Sequence, residues 1–162
     1  DVAPEPDGDE RNPFYETIEF EAAGDVTNAE EQTLAIVRYH QVVTRKSNDE
    51  VFHDQVGYWL WDSSNNGIVE TFVIPRAVGV VAEGSATPPT DAAGEVVLEV
   101  SSGGVSGITQ AEFMFNKAKT VGFTHTITVS GDEMRYQETT LLDIYGKESY
   151  EHTDMNTLQR VG

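Results

Sequence analysis

The chain has 162 residues, a length that one domain with a single buried core accounts for. Its 28 acids against 10 bases give a formal net charge of -18, which repels phosphate backbones and anionic lipid surfaces, so neither nucleic acid nor a membrane is an expected partner. No cysteine is present, which excludes disulfides, thiolate catalysis, thiolate-bound zinc and iron–sulfur clusters, and no apolar run reaches the roughly 18 residues of a membrane-spanning helix.

A cysteine-free chain with no basic and apolar leader at its start fits a cytoplasmic location, which we take as the expectation. The acidity reads first as a solubility device. Adaptation to a saline cytoplasm is a second reading, since the only lysines are Lys46, Lys117, Lys119 and Lys147.

Residues 1–13 are acidic, carry Pro4, Pro6 and Pro13, and read as an extended arm or loop on a single domain spanning 1–162. Period-2 alternation follows. Phe14, Ile18 and Phe20 fall on one face, while Tyr15, Thr17, Glu19 and Glu21 fall on the other. Segments 34–45 and 51–62 are the next strands, the latter closed by Ser63-Ser64-Asn65-Asn66-Gly67, whose Asn-Gly pair is a strong hairpin-turn signal. Strands are then expected at 68–74 and 77–84, followed by a loop at 85–93, a strand at 95–101 and a glycine-rich turn at 102–107. Residues 111–119 have local helix formers but are assigned as strand. Segments 121–129 and 133–145 flank the turn Ser130-Gly131-Asp132, and 157–161 forms the last short strand. Short strands with frequent turns mean an antiparallel sandwich or barrel, and a run of adjacent hairpins favours an all-β, up-and-down, lipocalin-like barrel with a central cavity.

No Gly-x-Ser-x-Gly elbow, His-Glu-x-x-His run or EF-hand loop occurs, and Gly103-Gly104 with Gly107 lacks the lysine and helix of a phosphate loop. The carboxylates are too numerous to single out a catalytic pair. His40 alternates with valine and tyrosine, His125 sits between Thr124 and Thr126, and both read as surface or hydrogen-bonded strand histidines. His53 follows Phe52 within a strand, and His152 stands at a strand entrance before Thr153 and Asp154. Two histidines brought to opposite sides of one barrel cavity are a natural way to hold a planar iron cofactor.

Five motifs occur in a fixed order: Tyr15-Glu16-Thr17-Ile18-Glu19-Phe20, Tyr39-x-Gln41, His53-x-x-x-Gly57-Tyr58, Gly67-x-Val69-Glu70 and Gly79-x-x-x-Glu83-Gly84. Over roughly 14–161 this series resembles the nitrobindin family, heme-binding barrels of fatty-acid-binding-protein-like form. The resemblance implies about ten antiparallel strands and a b-type heme. It implies His152 as the proximal iron ligand and cofactor contacts from His53 and from Phe52, which stands where the family has methionine. It also implies isomerase chemistry on reactive nitrogen species, peroxynitrite to nitrate, with reversible nitric oxide binding, and names no catalytic side chain. The rival expectation is a heme-free barrel carrying a fatty acid or another small apolar ligand, with Arg38, Arg76 or Arg135 as carboxylate anchors; a structural barrel with a filled interior is a third.

Two features depart from the family pattern. The spacing from His152 to Leu158 is one residue longer, which predicts a bulge there or Met155 in part of the ligand position. The family's opening Gly-x-Trp-x-Gly strand does not occur, so either it lies ahead of Asp1 or the barrel closes differently.

Overall fold

The structure, a computed structural model, describes residues 2–87, 94–103 and 107–162. Its first segment departs from the expected arm. β1 (Val2–Glu5) pairs antiparallel with β2 (Gly8–Arg11) around Pro6-Asp7-Gly8. Proline presets the turn, aspartate tolerates it, and Gly8 at φ 152° takes a conformation that L side chains avoid. Tyr150 Oη donates to Asp9 Oδ1 at 2.9 Å, with Lys147 Nζ 3.7 Å from the same oxygen, which ties this hairpin to the end of the chain.

The strands that follow obey the alternation in the sequence. They are β3 (Phe14–Asn28), β4 (Gln32–Arg45), β5 (Val51–Asp62), β6 (Gly67–Ile74), β7 (Val78–Thr87) and β8 (Val96–Ser101). After β9 (Ile108–Gln110) come β10 (Ala118–Ser130), β11 (Glu133–Ile144) and β12 (Lys147–Gln159). Neighbours in the sheet run β12-β11-β10-β8-β7-β6-β5-β4-β3, with β9 also paired to β7, so the sheet is a curled antiparallel meander of barrel type. The loop expected at 85–93 and the turn at 102–107 lie largely outside the described residues, although 85–87 continue β7.

Residues 112–117 correct the expected strand. They form α1 (Glu112–Lys117), where local helix formers meet no ladder partner. Met114 packs on the core, and Gln110 clasps both backbone groups of Thr120 at 2.9 Å, holding the base of the helix.

One face of each strand turns inward. Tyr39, Trp59, Phe72, Val80, Val100, Phe123, Ile127 and Tyr136 belong to one buried cluster. Gly57 is required within it. A Cβ there would stand 2.4 Å from Thr71 O and 2.9 Å from the Tyr39 ring, so only glycine lets that ring lie over β5.

β3 and β12 end the sheet path and share no ladder among the described residues. Side chains span the seam instead. Glu16 of β3 accepts a hydrogen bond from Asn156 Nδ2 of β12 at 2.7 Å and from Tyr136 Oη of β11 at 3.0 Å. β12 begins ten residues before the expected short strand, at Lys147 rather than 157. Its ladder to β11 runs without a shift from Tyr150 to Gln159, and Met155 is outward and exposed. The predicted bulge is therefore absent between Tyr150 and Gln159.

Candidate functional site

Successive strands reverse direction, so the turns at 46–50, 75–77 and 145–146 gather at one end of the barrel. His53 lies three residues into β5 and His152 six into β12, both close to that end. Both also take inward register positions. His53 is on the same face as buried Gln55 and Trp59, and His152 lies opposite Thr140, in step with Asp154 opposite Glu138.

A chain of hydrogen bonds runs inward from His53. Its Nε2 lies 3.2 Å from Gln55 Oε1, Gln55 Nε2 donates to Tyr39 Oη at 2.7 Å, and Tyr39 Oη donates to Glu70 Oε1 at 2.7 Å. The other oxygen of Glu70 takes His125 Nδ1 at 2.8 Å. This order of donors and acceptors assigns every proton toward Glu70, so His53 carries its proton on Nε2 and keeps the lone pair on Nδ1. Burial holds His53 below the usual imidazole range; Gln55 pulls the other way, while Arg76 and then His152 add to the lowering. His53 is therefore neutral at neutral pH, with both of those groups in its electrostatic reach.

The middle of the barrel is unusually polar. Glu70 is fully buried, and the His125 side chain beside it is 9% exposed. Burial pushes His125 down, but the Glu70 carboxylate outweighs it and raises the imidazole above its ordinary value. Trp59, Phe123 and Tyr136 pack their rings around it at centroid distances of 5.6, 5.9 and 5.6 Å. Across the ladder from His125 stands Glu138, whose carboxyl is pushed up to about 7 by burial, with His125 opposing. Glu138 Oε2 and His125 Nε2 are both buried without a hydrogen-bond partner. Between Tyr39, Trp59, Glu70 and His125 the free volume is only about 10 Å³, room for no more than a water.

The remaining expected site residues are placed as follows. His152 Nε2 lies 3.3 Å from Asp154 Oδ2, and burial raises the Asp154 carboxyl while His152 opposes it. Phe52 sits at a register shift where β5 meets β4 and faces the Arg45 guanidinium at 5.1 Å. His40 is exposed on the outer face beside Asp54. Arg38 pairs with Glu21, Arg135 with Glu95 and Glu133, and Arg76 stands in the turn after β6.

Glu70, His125, Tyr39, Gln55, Glu16 and Glu138 were not expected as a group. The signal for them lies two residues away rather than one. Glu70 is flanked at that spacing by Ile68 and Phe72, and His125 by Phe123 and Ile127. On a strand these are the neighbours on the same face, whereas Thr124 and Thr126 point to the other side.

Comparison with known proteins agrees with this architecture. No curated protein matches the sequence significantly. Among solved structures, the crystal structure of Rv2717c from M. tuberculosis superimposes with a TM-score of 0.67, covering 91% of this chain and 81% of that one at 14% identity, which establishes a shared fold. Residues 3–160 match the THAP4-like, heme-binding β-barrel domain, in keeping with the nitrobindin-type motifs, and the chain belongs to that family.

Proposed function

We propose that the domain binds heme b at the end of the barrel that carries His53 and His152, with His152 ligating iron and His53 on the opposite side, and that it there handles reactive nitrogen species. The chemistry we assign is isomerisation of peroxynitrite to nitrate and reversible binding of nitric oxide. One observation carries the reading: two inward imidazoles stand within electrostatic reach of each other at the same end of a barrel of this family.

The residues at this end fit such a group. The middle of the barrel is packed, whereas a groove of about 430 Å³, within the size range of ligand pockets, opens at the rim beside His53, Phe52 and Ile74, with His152 outside its lining. Asp154 beside His152 Nε2 is the carboxylate partner that fixes the tautomer of a ligating histidine. Heme, when bound, would supply a Lewis-acidic, redox-active iron. His53, neutral and tied to Gln55 through Nε2, accepts hydrogen bonds at Nδ1 and donates none there.

Titration of the protein with hemin tests the proposal. A sharp Soret band that is lost in His152→Ala and kept in His53→Ala is expected, with peroxynitrite decay by stopped flow altered in the His53 variant. An unchanged band in His152→Ala removes that ligand assignment. Decay no faster than in buffer, with heme bound, removes the enzymatic part and leaves a binding role.

A further inference from the structure

We propose that the rim groove beside His53 is a carboxylate-anchoring subsite made by Arg45 and Arg76, which rests on the reading that a carboxylate-bearing ligand, heme foremost, occupies this end of the barrel. Three observations converge on it. The groove is lined by Arg45, Phe52, His53, Ile74 and Arg76, so two of the six arginines of a strongly acidic chain meet beside the candidate distal histidine. Arg45 Nε is buried and has no hydrogen-bond partner, although Nη1 lies 3.4 Å from Glu50 and the guanidinium stands 5.1 Å over the Phe52 ring. Arg76 is exposed and makes no hydrogen bond or ion pair among the described residues, yet its charge is felt at His53.

The acids in the groove do not cancel this. Glu50 faces Arg45 Nη1 and Asn48, and Asp54 lies on the outer side against His40. What is left over is one buried N–H and one unpaired guanidinium, flanked by the apolar faces of Phe52 and Ile74. That is the complement of a carboxylate on an apolar body. The same carboxylate could be a porphyrin propionate or the head of a fatty acid. The chain's net charge of -18 repels anions on the whole, so a basic rim favours entry of such a ligand there.

The test measures quenching of the fluorescence of Trp59 and Trp61, and the Soret band where iron is present, on titration with hemin, hemin dimethyl ester and oleate. Wild-type protein should bind hemin about tenfold more tightly than the ester, the scale of one hydrogen bond to a charged group. Arg76→Gln, an exposed change that leaves the packing intact, should weaken hemin severalfold, an effect that disappears in molar salt. Arg45→Lys, which keeps the charge facing Glu50 but removes Nε, should weaken hemin severalfold at any salt. Neither variant should move the ester. Equal affinity of wild-type protein for hemin and ester, or equal weakening of both in the variants, overturns the subsite and leaves heme binding standing. If hemin gives no Soret band while oleate binds and loses affinity in both variants, the subsite stands and the heme reading falls. Binding of neither overturns both.

Discussion

The sharpest quantitative test concerns Glu138. Its carboxyl has a buried oxygen, faces His125, Glu70, Asp154 and Glu16, and is pushed from 4.5 up to about 7, mainly by loss of solvation. A folded-state pKa above the unfolded one means that folding takes up a proton between those values. The stability this contributes is complete below about pH 4.5 and is lost as pH rises to about 7. The gap of about 2.5 units corresponds to roughly 3 kcal/mol, at about 1.36 kcal/mol per unit. Glu138→Gln keeps the shape while removing the charge. Urea denaturation of both proteins at pH 5 to 8.5, at one high salt concentration so that surface repulsion cancels, should give nearly equal stabilities at the acid end. At pH 8 the variant should be more stable by roughly 3 kcal/mol, or roughly 6–12 °C in Tm for a chain of this size. A difference that does not change with pH, or a variant less stable at pH 8, would refute the reasoning.

Three further outcomes follow from the same interior and the surface around it. Glu70→Gln leaves a buried His125 cation facing a neutral amide and should lower stability by about 3–5 kcal/mol in urea; a loss below 1 kcal/mol would mean that His125 is neutral in the folded protein. Gly57→Ala puts a methyl group 2.4 Å from Thr71 O and should be destabilising by about 1–3 kcal/mol, with near-neutral behaviour contradicting the close approach of the Tyr39 ring. The net charge of -18 predicts a Tm that climbs between low and molar salt as self-repulsion is screened, and a flat profile would remove the saline reading of the composition.

The strands were legible because alternation survives even in short segments. Val51–Asp62 falls where the sequence places it, and the Asn66-Gly67 turn follows with Asn66 at φ 57°. Three departures have local causes. The first hairpin was hidden because its prolines argue against strand, although Pro6-Asp7-Gly8 is itself a turn signature. The helix at 112–117 was ambiguous because a six-residue segment with only Phe113, Met114 and Phe115 apolar has no period long enough to separate the two readings. The early part of β12 is Lys147, Glu148, Ser149 and Glu151 with few β-formers, and only its pairing to β11 makes it a strand. Of the candidate site, the motif series pointed to His53 and the family resemblance to His152, while the part played by the buried acids was not visible even though Glu16 and Glu70 stand within the motifs. Their partners lie between 25 and 140 residues away in sequence, as in Gln41 and Asn156 with Glu16.

That buried network also bears on where chemistry can occur. A conducting proton path needs groups that accept a proton on one side and release it on the other, and an amide does not do this readily. Gln55 stands between His53 and Tyr39, so the chain that begins at His53 and ends at the Glu70–His125 pair orients the imidazole without feeding it protons. Tyr39 points the same way, because burial raises its phenol well above the ordinary range and keeps its proton in place. The interior therefore acts as a fixed scaffold whose charge sets the tautomer of one residue at the rim. Any proton consumed or released in a reaction at that end has to exchange with solvent through the rim itself, where His53, Arg45 and Arg76 line the groove.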